Sequence, residues 1–346
     1  MKRRHFLGLP AAFAGAAAFG NPGRDVLDTP AQRSPLAERG LINGLARAGE
    51  RLVAVGQRGH VLFSDDGGRH WQQAEVPASS DLIAVHFPTP RQGYACGHDG
   101  LVLGSSDSGR TWRRLLDGRQ AGALMLAHYQ RLADPRLDAA AKEAARFAAQ
   151  GAENPWLDCW FADDETGFVV GAFGQILRTA DGGASWQPWL HAADNPKGLH
   201  LYAVRGIGAD VWIAGEQGLL LKLDRDAGRF KAIELPYKGT LFGVIGNPRG
   251  VLVHGLRGTV LRSTDGGRSW AAVPTGLQIG LPAATLDAQN RFVLVSQAGH
   301  VLASRDDGAS FVPIAVERPL PAAAVAAAPG ALVLAGPRGV RAITLP

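Results

Sequence analysis

The chain has 346 residues, of which 46% are hydrophobic and 19% charged, with 45 glycines and 21 prolines. That balance is globular and excludes a disordered chain. Three of its five net positive charges are Lys2, Arg3 and Arg4; the 36 basic residues less these three leave 33 against 31 acidic ones, which excludes a polycationic nucleic-acid binder.

At the start of the chain, Lys2-Arg3-Arg4-His5-Phe6-Leu7 places paired arginines ahead of an alanine-rich, weakly hydrophobic stretch. The arrangement resembles a twin-arginine export signal over residues 1–20, with cleavage after Gly20 or Ala18; an ordinary secretory signal is the alternative. Both predict a periplasmic or thylakoid-lumen-like protein. No later stretch reaches the ~20 apolar residues of a spanning helix.

From residue 21 onward one phrase recurs: a hydrophobic strand, Gly-x-x-Gly, a second strand, then an acidic turn closed by an aromatic. The second glycines are Gly59, Gly100, Gly174, Gly218, Gly258, Gly299 and Gly339, spaced 41, 74, 44, 40, 41 and 40 residues apart. A period near 40 with four short strands per unit predicts an all-β, seven-bladed β-propeller over residues 21–346. Each unit is read as strands A to D of one antiparallel blade, with the Gly-x-x-Gly turn between B and C.

The acidic turns follow C at Ser64–Trp71, Ser105–Trp112, Thr179–Trp186, Ser263–Trp270 and Ser304–Phe311. Five equivalent copies argue for a structural role, because an active site is normally single. Asp66, Asp107, Asp181, Asp265 and Asp306 are therefore expected to brace their own turns. The fourth unit, Leu223–Phe230, has lost a residue. The seventh supplies only A, B and C, so residues 25–35 are expected to pair onto it and close the ring. Cys96 and Cys159 fall on strand-core positions of neighbouring units, read as two buried thiols in preference to a disulfide.

The long gap before Gly174 holds an insertion, residues 118–154. Ala121–Leu132 and Arg136–Gln150 read as a helical hairpin broken at Asp134-Pro135, with Leu124, Leu126, Tyr129, Leu132, Leu137, Ala144 and Phe147 as its packing face. It joins strand D of blade two to strand A of blade three, so it shares a face with the B–C turns, opposite the acidic turns. On that face stand Arg58, His98, Asp99, Phe173, Glu216, Gln217, Arg257 and Arg338. One reading makes them solvated turns with a decorative insertion. The other makes them a partner-recognition rim, with Arg58, Arg257 and Arg338 as its cations and Asp99, Phe173 and Gln217 interrupting them.

The segment Gly171–Trp186 resembles the repeat of the photosystem II stability/assembly-factor propellers, within the wider BNR or Asp-box superfamily. The resemblance implies an exported, non-catalytic, monomeric assembly or scaffold factor for a membrane protein complex or its subunit, either photosystem II-like or an envelope exporter. It implies no cofactor and no metal. The repeat is also similar to that of sialidases, whose chemistry needs paired carboxylates or a Tyr/Glu nucleophile. Tyr202 with Glu216 is the best pair the sequence offers for that alternative. A non-catalytic glycan-binding propeller would use Trp156, Trp160, Phe173 and Trp212. No Gly-x-Ser-x-Gly elbow, zinc-ligand spacing or phosphate loop is present.

Overall fold

A computed structural model describes residues 25–344, and the expected leader lies outside them. Seven antiparallel sheets follow one another along the chain, each from consecutive strands, as a propeller requires. Blade one is A Ile42–Ala48, B Arg51–Gly56, C Val61–Ser64 and D Gln72–Gln73. Its B and C strands are buried at every position, and Leu52 pairs with Ser64 across the Gly56–Gly59 turn. Such runs of Val, Leu and Ala suit strands covered on both faces by neighbouring blades. Each fully buried Val, Leu or Phe contributes about 1.5–3 kcal/mol.

The acidic turns are built alike. In blade one Ser64 Oγ donates to Asp66 Oδ1 at 2.8 Å and accepts from Gly68 N–H, while Asp66 Oδ1 accepts from the N–H groups of Arg69 and His70 at 3.0 Å. The Ser269 and Thr111 hydroxyls donate to Asp265 and Asp107 at 2.6 and 2.7 Å in the equivalent places. These donors hold the carboxylates below the usual range, Asp306 at about 2, with the Ser310 hydroxyl as the largest cause. The aromatic closes the loop: Trp71, Trp112 and Trp270 each donate their indole N–H to the carbonyl of the glycine three residues earlier, Gly68, Gly109 and Gly267, at 3.1 to 3.2 Å.

That glycine does more than turn the chain. A Cβ placed on Gly267 of blade five would stand 2.4 Å from the Trp212 ring of blade four; on Gly183, 2.8 Å from Leu115 of blade two; on Gly308, 2.9 Å from Leu252 of blade five. The same contact joins the ends of the ring, because a Cβ on Gly68 of blade one would lie 2.7 Å from Val333 of blade seven. Each turn is thus seated on the preceding blade, on its B strand at Trp212, Leu252 and Val333 and on its D strand at Leu115.

Ring closure departs from the sequence expectation. Blade seven has three strands among the described residues, Ala324–Ala328, Ala331–Gly336 and Gly339–Thr344, and residues 25–35 do not pair with it. They run along the outside of blades one and two. Ser79 N–H donates to Val26 O at 2.8 Å and Ala31 N–H to Val76 O at 3.1 Å. Leu27 is buried in the blade one–two core, and Asp28 pairs with Arg119 at 2.9 Å. An apolar anchor between blades one and two and an ion pair to the first turn of α1 (Gly118–Leu132) hold this segment there. The first and last blades instead meet through a core of Ala37, Ile42, Ala54, Leu62, Ala324 and Ala335.

The insertion is a helical hairpin, α1 Gly118–Leu132 and α2 Asp138–Gln150, with Pro135 opening the short turn between them. Asp117 caps α1, accepting from Gln120 N–H while the Gln120 side chain accepts from Asp117 N–H. Of the expected packing face, Tyr129, Ala144 and Phe147 are buried in the hairpin core and Leu124 and Leu137 pack against it. Ala121, Gly122, Met125 and Tyr129 are buried on α1, whereas Leu132 is 44% exposed. Gly122 lets the two helices approach closely, since a Cβ there would be 2.9 Å from Ala148 Cα on α2. The hairpin shares a core with Cys96 and Cys159, which are free buried thiols. Burial, with the neighbouring Cys159 thiol, pushes the Cys96 thiol up.

Candidate functional site

In blades one to five the residue before the second glycine has a left-handed backbone although it carries a side chain: Arg58, Asp99, Phe173, Gln217 and Arg257, at φ 53–57°. Left-handed non-glycine residues cost about 1 kcal/mol or more each, and a position repeated five times needs local support. Two show that support directly. Arg58 N–H donates to Asp81 Oδ1 at 2.7 Å, and Phe173 N–H donates to His200 Nδ1 at 2.7 Å. In both cases the acceptor comes from the connection leading into the next blade. Blades six and seven differ: neither Ala298 nor Arg338 is left-handed.

The turns hold their second residues on one face, with Arg58, Gln217, Arg257 and Arg338 exposed and Phe173 40% exposed. The three arginines stand on blades one, five and seven, and among the described residues none of their side chains is in an ion pair. The hairpin is built onto this same face. A Cβ on Gly100, in the blade-two turn, would be 2.5 Å from Gly118 Cα at the start of α1. Trp156 Nε1 donates to Gly100 O at 2.9 Å, and the Arg146 guanidinium of α2 lies 4.6 Å over the Phe173 ring. Tyr129 Oη and His191 Nδ1, 2.9 Å apart, tie α1 to the connection after blade three. Burial raises the Tyr129 phenol to about 12.

The A strands surround a central channel of about 520 Å³. Its walls are mostly small and apolar residues, with one buried acid. Asp158 is 3% exposed, accepts from Val204 N–H at 2.8 Å and pairs with Arg205. Burial raises its carboxyl, opposed by the Arg205 charge. His254 also faces the channel, shares a 2.7 Å hydrogen bond with Leu281 O, and is lowered by burial to about 4. The repeat contained a signal for Asp158, which occupies the place of Ala84, Ala203 and Gly243 in other blades.

Tyr202 and Glu216 are neighbours, but Glu216 is committed to the turn: its Oε2 accepts from His200 N–H at 2.8 Å. Of the aromatics considered for glycan binding, Trp156 and Trp212 are fully buried and Trp160 packs against the blade-four cluster, which leaves Phe173 at the surface. Among the described residues no cluster of three His, Cys, Asp or Glu side chains could hold a metal.

The family model for photosynthesis system II assembly factor YCF48 matches residues 138–272. The photosystem II assembly lipoprotein Ycf48 of Synechococcus sp. (strain CC9902) is 31% identical over 160 residues, 45% of this chain and 47% of that protein. The chain thus spans about half the length of that curated relative. Solved structures of YCF48 bound to D1 peptide and of YCF48 from Cyanidioschyzon merolae superpose with TM-scores of 0.65 and 0.62, each at 14% identity. The first covers 89% of this chain and 94% of the other, the second 91% and 98%. At that identity the superpositions speak for the fold.

Proposed function

We propose that this photosystem II assembly factor-like seven-bladed propeller acts as an exported, non-catalytic docking factor that holds a membrane-protein subunit on the B–C turn rim during assembly of a larger complex. The observation that carries the reading is the rim itself. Five left-handed turns project unlike side chains from one otherwise repetitive face, and the chain's largest insertion is anchored to the same turns. Strain kept at recurring positions, with the charge varied from blade to blade, suits recognition better than folding. A relative solved with a peptide bound, and curated relatives that are assembly lipoproteins, support a membrane-protein partner and an extracytoplasmic location. Photosystem II, or an envelope exporter in a non-photosynthetic source, is the partner class proposed.

The test is a pull-down from the source organism's envelope with wild type and with the Arg58/Arg257/Arg338→Ala triple variant. Loss of the partner from a folded triple variant is expected; equal recovery would remove the arginine rim. A single change gives effects of opposite sign. Arg257→Gly relieves a left-handed arginine, so it should raise stability by about 0.5–1 kcal/mol in chemical denaturation while weakening capture. A loss of stability there would mean that Arg257 is held for the fold.

A further inference from the structure

Beside the rim, α2 and the connection from blade three to blade four enclose an open groove of about 950 Å³. Phe173 and Leu190 contribute apolar floor, and the cations Arg136, Lys142, Arg146, Lys197 and Arg229 line it against two acids, Glu143 and Asp194. Both acids are already used, Glu143 by Arg146 at 2.7 Å and Asp194 by Arg229. Lys142 on the helical wall and Lys197 on the opposite wall are exposed, and among the described residues neither forms an ion pair. The groove therefore offers unspent positive charge on both sides of an aromatic floor.

We infer that this groove is a docking site for an extended acidic polypeptide segment, whose carboxylates meet Lys142 and Lys197 while an apolar side chain covers Phe173 and Leu190. Three features select that occupant. The excess of cations fits an anion. The open shape between two walls fits a chain better than an enclosed small molecule. The exposed aromatic beneath Arg146 supplies the apolar contact that charge alone does not. Because Lys142 and Arg146 belong to the insertion, the hairpin creates this specificity. The inference rests on the reading of this face as a partner rim.

The probe is a fluorescein-labelled peptide of alternating Asp and Leu, about ten residues long, which spans ~33 Å at an extended rise of ~3.3 Å per residue. Its Asn/Leu counterpart and anionic phosphatidylglycerol vesicles serve as the other arms. Wild type should bind the acidic peptide at least about tenfold more tightly than the neutral one, with affinity falling as salt rises. Lys142→Glu with Lys197→Glu should abolish the preference, Lys142→Arg with Lys197→Arg should keep it, and the Arg58/Arg257/Arg338→Ala triple should leave it unchanged. Equal binding of the two peptides, an unaffected charge-reversed variant, or lysine-dependent binding of vesicles alone would each overturn the groove. If the groove fails while the arginine triple still loses the envelope partner, the rim reading stands without it; loss of both effects removes both.

Discussion

Arg205→Met should destabilise the propeller by about 3 kcal/mol at pH 8, and by less at pH 5. The guanidinium is the only ion-pair partner of Asp158 among the described residues, and Asp158 is 3% exposed. Removing one member of a buried pair leaves an uncompensated charge, which typically costs about 3–5 kcal/mol. The lower end applies because Arg205 is 39% exposed in the channel, so water can partly take its place. The dependence on pH has a definite sign. Burial already raises the Asp158 carboxyl, and losing Arg205 raises it further. A group raised in the folded state contributes stability below its unfolded value, near 4, and loses it as pH rises through the folded value. The deficit of the variant must therefore grow from acid toward neutrality and then level off. Asp158→Asn should cost only about 1 kcal/mol, with no such trend, because an amide can still accept from Val204 N–H. Urea denaturation at the two pH values checks this, and an equal Arg205→Met deficit at both would show that the pair is worth little.

The architecture was legible because a propeller repeats its instructions. Seven Gly-x-x-Gly turns and five acidic turns each report one local geometry, and their spacing alone sets the order of the blades. What the sequence hid was the contact between units. Leu27 carries no mark to say that it buries between blades one and two, and the three-strand seventh blade invited the pairing that residues 25–35 do not make. On α1 the expected Tyr129 and Leu124 do pack against the core, but Leu132 does not, and Ala121, Gly122 and Met125 were missed for a similar reason. Leucines attract attention, yet Gly122 lets the helices approach. At the rim, the sequence displayed Arg58, Arg257 and Arg338 because they interrupt a repeat. It could not display Lys142 and Lys197, which are about 55 residues apart, outside the repeat and joined only by the groove. Asp158 lay between these cases: an acid among small apolar equivalents was visible, and its partner on the next blade was not.

The acidic turn thus acquires a second duty, and Gly267→Ala tests it. Gly267 sits at φ +91°, which disfavours alanine, and the added Cβ would meet the Trp212 ring at 2.4 Å. That ring is fully buried in blade four and lies edge-to-face with Trp270 at 6.2 Å, so it has no free direction in which to move. Backbone strain and overpacking together should cost about 2–4 kcal/mol. Gly266→Ala separates the two contributions. It shares the left-handed backbone at φ +73° but has nothing within 4 Å of the new Cβ, so it should cost about 1 kcal/mol. The difference between the two variants measures the seating of blade five on blade four. Trimming the ring in Gly267→Ala/Trp212→Leu should then cost less than the two single changes summed, since the second removes what the first collides with. Additive costs would mean that the turn braces only its own blade. Coupling would make these glycines the joints of the ring, Gly68 against Val333 being the joint that closes it.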